Sequence, residues 1–443
     1  MAEAEIFKAY DIRGIYGKDL YDETAYKIGR AFVTFTKCKK IVVARDFRTH
    51  SPALFAKLAQ GLTEQGADVI DIGEASTPMS YFANGMLNAD ASIMITASHN
   101  PAEWNGFKLC RAKAEPISGA TGIEDIKRIV LEERFDPKAA TPGRVTSHDI
   151  LPEYARHIAK FAKLNRPIHV AIDFANGMGI QEVKALKGLI TWNGLYEEPD
   201  GSFPNHEANP LDTETLEKLQ EEIRGGTFDF GVAYDGDADR AGFVDEKGEI
   251  IPMDLITALI AQDVLATRKG VIFYDLRSSW VVKETIEAAG GKPMMSRVGH
   301  AFIKQQMRDN NALFAGELSG HYYFKDNFTA ESSALAILSL ANIVSRSDKT
   351  KLSELVAPLR KYHASGEINS RVACNPKAIL AELRENYSDG RIFELDGVSV
   401  EYPDWWFNVR CSNTEPLVRL NLEAKTEEMM QTKRDEILTI IRK

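Results

Sequence analysis

The sequence predicts an α/β protein of three related domains, closed by a smaller α+β domain. Three observations lead there. The chain has 443 residues, room for two to four domains at roughly 100–200 residues each. Strand-length apolar runs alternate with helix-length amphipathic segments, the rhythm of α/β units. One unit recurs: KKIVVARD (39–46), IHVAIDFANG (168–177) and GVIFYDLRSS (270–279) each carry a β-branched or aromatic run to an aspartate and a polar turn. The aspartates are Asp46, Asp173 and Asp275. A unit repeated at long spacing marks duplicated domains rather than a chance strand.

Each copy leads into a helical pattern: SPALFAKLAQGLTEQG, IQEVKALKG and SWVVKETIEAAGG. A second short strand follows the first and third copies, at 67–73 and 292–299. The apolar run ALAILSLANIV (334–344) is broken by Ser339 and Asn342. It falls far short of the ~20 residues a membrane span needs and reads as a buried helix. Beyond residue 360 the segments GEINSRVAC, GVSVEYPDWWFNVRCS and LVRLNLEAK alternate as half-buried strands. TEEMMQTKRDEILTIIRK then closes the chain as an amphipathic helix. The expected domains are 1–147, 148–246, 247–360 and 361–443.

The net charge is −10, from 54 basic and 64 acidic side chains. That argues against nucleic acid as a partner, which asks for a basic face. Any anionic substrate must then meet positive charge concentrated in its site. Cys38, Cys110, Cys374 and Cys411 are scattered, with no C-x-x-C pair or zinc spacing, as in a reducing compartment. The N-terminal stretch lacks a basic region followed by an apolar run, so no secretory signal is expected and the location is expected to be cytoplasmic.

Four loops carry chemistry. In ASIMITASHNP (91–101) an apolar strand ends in a polar turn holding Ser98, at the strand end where open parallel sheets bind ligands. The glycines of a nucleophile elbow are replaced by Thr96 and Asn100, which disfavours an α/β-hydrolase and leaves Ser98 as a nucleophile, a phosphoryl carrier or a capping serine in an ordinary turn. In FDFGVAYDGDADRAGFVDEKGEI (228–250), Asp235, Asp237 and Asp239 alternate with Gly236 and Ala238. Alternation in an extended loop brings the three carboxylates to one side. Such charges about 4 Å apart repel by ~4 kcal/mol per pair at an effective dielectric near 20, so a cation is needed. Oxygen ligands favour Mg²⁺, Ca²⁺ or Mn²⁺, and a three-ligand site favours Mg²⁺ shared with a phosphate oxygen. An EF-hand is excluded, because Arg240 stands where that loop needs Gly.

LFAGELSGHYYF (313–324) places Glu317, Ser319 and His321 in one turn, where acceptor and donor can meet paired sugar hydroxyls. FNVRCSNTEPLVRL (407–420) crowds Arg410, Ser412, Asn413 and Thr414 before Pro416. Arg410 offers a bidentate fork for phosphate, and short polar side chains with backbone N–H groups can complete an anion nest. No P-loop is present, and the nearest G-x-G-x-x-G, at Gly177 and Gly179, has Glu182 in its third position.

TASHNP, DGDADR, GELSGH and RCSNTEP, in this order, resemble the α-D-phosphohexomutase family, in its bacterial phosphomannomutase/phosphoglucomutase branch. The resemblance runs from KAYDIRG at the start to the tail. It implies three mixed-sheet α/β domains and a C-terminal domain of the TATA-box-binding-protein-like class around a central cleft. It implies that Ser98 carries a phosphoryl group, and that Asp235, Asp237 and Asp239 hold Mg²⁺ together with a phosphoserine oxygen. Glu317 and Ser319, with His321 near, are implied to contact sugar hydroxyls, and Arg410, Ser412, Asn413 and Thr414 the non-transferring phosphate. Tyr10 and Arg13 match an N-terminal active-site motif. Lys108 (NGFKLC), Arg277 (YDLRSS) and His300 (RVGHAF) match cleft segments, and Arg240 is implied to neutralise phosphoryl charge.

The implied reaction interconverts hexose 6-phosphate and hexose 1-phosphate, of mannose or glucose, through a 1,6-bisphosphate that also serves as activator. Either Lys108 or His300 is left as the proton-transfer group, and the expected assembly is a monomer or weak homodimer. One departure is FKDNFTAESSALAIL, where many relatives carry a D-D-G-type turn; it bears on sugar preference. Rival readings are a phosphoglucosamine mutase, whose loop usually has Gln where Leu318 stands, a phosphoserine-using sugar phosphatase, and a non-catalytic sugar-phosphate-binding regulator.

Overall fold

The computed structural model describes residues 2–346, 350–372, 375–411 and 417–443. Ser412, Asn413 and Thr414, expected in the phosphate loop, lie outside the described residues, as does Cys374. Four sheets follow one another along the chain. The first holds β1 (Ile12–Ile15), β2 (Lys40–Arg45), β3 (Asp68–Glu74), β4 (Ala91–Ile95), β5 (Trp104–Arg111) and β6 (Val145–Ser147), in the order β1-β5-β4-β2-β3-β6. The second holds β7 (His169–Asp173), β8 (Thr191–Leu195), β9 (Phe230–Tyr234), β10 (Ala241–Asp245) and β11 (Ile250–Ile251), in the order β11-β10-β9-β7-β8. The third holds β12 (Val271–Asp275), β13 (Lys292–Ser296), β14 (Phe314–Gly316), β15 (Tyr322–Phe324) and β16 (Ala330–Glu331), in the order β13-β12-β14-β15-β16.

These three sheets are one motif. In each, the strand that ends at the recurring aspartate lies between two parallel neighbours, and the third strand of the unit turns back into an antiparallel fourth. The predicted repeat is therefore a repeat of topology as well as of sequence. β11 pairs with β10, so the second sheet runs past the expected boundary at residue 246.

The fourth sheet is antiparallel: β17 (His363–Ala364), β18 (Ile368–Arg371), β19 (Arg391–Phe393), β20 (Val398–Glu401), β21 (Trp405–Cys411) and β22 (Leu417–Ala424). Period-two alternation decides what each face does. Trp405, Phe407 and Val409 of β21 and Val418, Leu420 and Leu422 of β22 pack under the closing helix Glu427–Ile441. Their neighbours Arg410, Arg419, Asn421 and Glu423 therefore share the opposite face.

The same alternation joins the first three domains. Ile41 and Val43 of β2 face a core private to the first domain, while Val42 and Ala44 enter a core continuous through the second and third. The apolar run at 334–344 forms the buried helix Ser333–Val344 in that shared core. Among the described residues no helix is long and apolar enough to cross a membrane.

At the junction of the three domains sits a fully buried carboxylate, Glu182. It accepts from Ser76 of the first domain, from Tyr154 Oη at 2.9 Å in the second, and from Ala334 N at 3.1 Å and Ser333 Oγ at 3.3 Å in the third. Ser333 Oγ also donates to the Ala238 carbonyl at 2.7 Å, in the acidic loop. Burial pushes Glu182 up to about 7 despite these donors. Its folded value exceeds its unfolded one, so its contribution to stability is full below about 4.5 and is lost as pH rises to 7. Glu182→Gln, which cannot ionise, is expected to flatten the melting temperature between about pH 5 and 7.5. Glu182→Ala strands these donors and is expected to lower it by several degrees at both ends, about 2–4 kcal/mol. Thermal melts at several pH values check both.

Candidate active site

The loops that carry chemistry occupy equivalent places in the three repeats. Ser98 lies between β4 and β5, the aspartates between β9 and β10, and Glu317, Ser319 and His321 between β14 and β15. Ser98, Asp239, Glu317, Ser319 and His321, together with Tyr10, Arg13, Lys108, Arg240, Arg277, His300 and Arg410, border a cleft of about 660 Å³.

Ser98 is 1% exposed and sits at φ +53°, a left-handed conformation that a non-glycine residue keeps only when its surroundings hold it. Several groups hold it. Its N–H donates to Thr96 Oγ1 at 2.9 Å. Arg13 donates to Asn100 Oδ1 at 2.5 Å and to the Ala97 carbonyl at 3.3 Å. Arg48, 1% exposed, donates to the carbonyls of Ser98, Asn100, Pro101 and Trp104 at 2.6–3.0 Å, with Nε 3.2 Å from Asp46. The sequence reading missed Arg48. A signal was there, since Asp46 and Asp275 are each followed two residues on by arginine, Arg48 and Arg277.

Ser98 Oγ donates to Asp235 Oδ2 at 2.7 Å, joining the first and second domains. Asp235, Asp237 and Asp239 are buried, with ligand oxygens within 4.8 Å of one another. The expected route to this convergence is corrected: the loop is a tight turn with Ala238 at φ +60°, not an extended segment. Gly236 is required by close approach, because a Cβ there would stand 2.4 Å from the Ser98 carbonyl. Thr77, also missed, clamps Asp237 through Oγ1 to Oδ2 at 2.5 Å and N to the carbonyl at 3.0 Å. Lys108 Nζ donates to Asp237 at 2.6 Å and Asp239 at 2.5 Å.

These neighbours set the charges. Burial, then Asp239 and Asp237, pushes Asp235 above the ordinary carboxylate range. Burial also opposes the charge of Asp239, but Lys108 and then His321 outweigh it and hold that carboxyl well down. Asp237 Oδ1 is buried and meets no donor among the described residues. A hard oxygen set with an unsatisfied buried oxygen fits Mg²⁺ better than a softer ion.

Glu317 accepts from Gly299 N at 3.1 Å and Tyr323 Oη at 2.5 Å. Leu318 N donates to Asp275 Oδ2 at 2.9 Å, so the third repeat's aspartate positions the sugar loop. His321 bridges Glu317 and Asp239, 3.3 Å from each, and lies 2.9 Å from Ser319 Oγ. Burial alone lowers its pKa, but Asp239 and Glu317 outweigh that and raise it to about 9. His300 is pushed well below its usual value by burial and then by Lys304 and Lys108, which leaves it neutral. Its ring stands 6.2 Å from Tyr10 and 6.5 Å from His321. Arg240 N–H donates to Asp235 Oδ1 at 3.2 Å, with Nε 3.9 Å from Oδ2. Arg277 pairs with Asp275 at 2.7 Å. Arg410 and Arg277 both reach Glu367, another residue the sequence reading missed.

The closeness of Gly236 to Ser98 gives a test. Gly236→Ala must move one loop by about 1 Å, a displacement worth on the order of a hundredfold in rate. Turnover is expected to fall by about that factor with the far-ultraviolet dichroism unchanged.

Comparison with known proteins agrees with this geometry. Phosphoglucomutase/phosphomannomutase alpha/beta/alpha domains I, II and III match residues 4–137, 152–248 and 252–362, and the C-terminal domain of that family matches 367–440. A phosphomannomutase of Methanocaldococcus jannaschii is 40% identical over 446 residues, covering 99% of this chain and 98% of its own length. One from Escherichia coli is 38% identical over 457 residues, with both chains fully covered. A phosphoglucomutase/phosphomannomutase family protein from Burkholderia thailandensis superposes with a TM-score of 0.91 at 32% identity, covering 99% of this chain and 97% of that one. With all four domains matched in order along its length, the chain belongs to the phosphoglucomutase/phosphomannomutase family.

Proposed function

We infer that the chain is a phosphohexomutase that interconverts hexose 6-phosphate and hexose 1-phosphate, with mannose, glucose or both as the sugar. The observation that carries this reading is the 2.7 Å hydrogen bond from Ser98 Oγ into the carboxylate cluster at Asp235. A hydroxyl bonded into that cluster supports a reading in which a phosphoryl group on Ser98 and a divalent cation share oxygens.

Phosphorylated Ser98 gives its phosphoryl group to the free hydroxyl of a bound hexose monophosphate. The P–O bond to Ser98 breaks as the bond to the sugar oxygen forms, and the hydroxyl proton passes to a base. The base is His300 or Lys108, both of which border the cleft. The resulting hexose 1,6-bisphosphate turns within the cleft and returns its other phosphoryl group to Ser98. Added bisphosphate restores the phosphorylated serine when it has been lost.

Asp235, Asp237, Asp239 and an oxygen of phosphorylated Ser98 would hold Mg²⁺, which when bound neutralises charge on the transferring group. Arg240 adds positive charge at the same end, and Arg13 holds the serine loop. Lys108, between Asp237 and Asp239, belongs to this charge balance. Glu317 and Ser319, with His321, offer acceptors and a donor to sugar hydroxyls. Arg410, with Ser412, Asn413 and Thr414 beyond it in sequence, takes the non-transferring phosphate, and Arg277 and Tyr10 complete that wall. Transfer of this kind is positioning and charge neutralisation more than covalent chemistry. Four domains divided at 147, just past β11 at residue 251, and at 360, with a cytoplasmic location and a monomer or weak homodimer, complete the proposal.

Ser98→Ala, assayed with glucose 1-phosphate and catalytic glucose 1,6-bisphosphate, is expected to lose at least ~10³-fold in turnover. Near wild-type turnover would sink the phosphoserine role. Chelation should abolish activity of the wild-type chain and added Mg²⁺ restore it, while Asp237→Asn should need more Mg²⁺ for half-activity. Full activity of Asp237→Asn in EDTA would contradict the metal site.

A further inference from the structure

Glu367 follows Gly366, at φ +68°, in the turn between β17 and β18. Its carboxylate enters the cleft and meets three guanidinium groups. Arg410 Nη2 lies 2.8 Å and Arg277 Nη1 3.3 Å from Oε2, and Arg419 Nη1 lies 3.5 Å from Oε1. Asn421 Nδ2 adds a contact at 3.4 Å. The alternation of β21 and β22 puts Arg410, Arg419 and Asn421 on one face, so the sheet itself gathers this charge. Arg277 comes from the third domain, so one carboxylate also ties the third domain to the fourth. Its side chain is 23% exposed, at the cleft surface rather than sealed in a core.

A phosphate dianion arriving at Arg410 thus meets a carboxylate already seated on the same guanidinium. We propose that Glu367 is the internal counter-anion of the anchoring arginines, and that the substrate's non-transferring phosphate binds by displacing it. This rests on the reading of Arg410 as the phosphate anchor. The charge count explains the use of such a group. With Asp275 already on Arg277, the three guanidiniums hold a net +2 against a dianion, and a cleft that must let go of one phosphate and take up another cannot grip either too hard. With Glu367 present the local charge is +1, and each departing phosphate is replaced by the chain's own anion. Burial works against the charge on Glu367, but Arg277 and Arg410 outweigh it and bring its pKa down to about 2. It is therefore ionised, and able to compete, at neutral pH. Glu367 acts here as a positioning residue, through the arginines and not on the transferring group.

The test is calorimetric titration of the full-length chain carrying Ser98→Ala, with glucose 6-phosphate and inorganic phosphate as probes and glucose as the uncharged control. Glu367→Gln, which keeps the shape and one acceptor, is expected to bind both phosphate probes about three- to tenfold more tightly, with glucose unchanged. With Ser98 restored, the KM for glucose 1-phosphate should fall by a similar factor. Glu367→Asp, whose carboxylate is withdrawn by one methylene, should fall between, and it carries the test if the Gln variant melts early. Unchanged or weaker phosphate binding in both variants overturns the proposal, because a carboxylate that only orients Arg410 predicts that result. Arg410→Met separates the two layers. If it weakens phosphate binding while the Glu367 variants do not tighten it, the proposal alone fails. If Arg410→Met leaves binding unchanged, the anchor reading fails and the proposal with it.

Discussion

The contact on which the rest of the molecule depends is the one between a serine of the first domain and an aspartate cluster of the second. Three buried carboxylates repel one another, and nothing within their own domain offsets them fully. The offset is imported: Lys108 and Thr77 come from the first domain and His321 from the third. Arg48 commits its donors to the backbone that presents Ser98 and to Asp46. Gly236 keeps the two loops close enough to touch, and Glu182 fixes the junction behind them. The shared apolar core supplies the rigidity that makes these distances hold.

Triplication accounts for how such a site is built. One supersecondary unit presents one loop, and three units present three loops toward a common space. The loops differ in chemistry: one carries a hydroxyl, one a set of carboxylates, and one a glutamate, a serine and a histidine. The recurring aspartate kept a shared task. Asp46 orients Arg48 behind the serine loop, and Asp275 orients both Arg277 and the Leu318 amide of the sugar loop. The fourth sheet is unrelated in topology, and it contributes a charged face rather than a strand-end loop.

Much of this was legible in the sequence because the chemistry restricts residue type. A run to aspartate and three alternating aspartates suit few tasks besides ligand and metal binding, so the three domains and the cluster could be read directly, while Ser98, alone a common turn serine, stood out only in company with the other three motifs. What was hidden acts at a distance. Glu182 lies in a short amphipathic segment where a buried carboxylate looks like an exposed one. Glu367 sits in GEINSRVAC, which reads as an alternating strand whose polar face awaits solvent. Thr77 becomes a clamp only through a contact 160 residues away. Arg48 was the exception, since its spacing from Asp46 repeats at Asp275. The turn at Ala238 shows a conclusion reached by a different geometry: the carboxylates converge through a left-handed residue, not through pleated alternation.

The separation of these groups along the chain has a consequence for biosynthesis. Ser98 and Asp235 are 137 residues apart, and the sugar loop with His321 comes later still. A chain emerging from the ribosome makes its first repeat, with the serine, long before the acidic cluster and the histidine that helps offset it exist. No fragment that ends before the third repeat has the offset that His321 gives Asp239. The offset of these carboxylates is complete only once the third unit has docked on the first two.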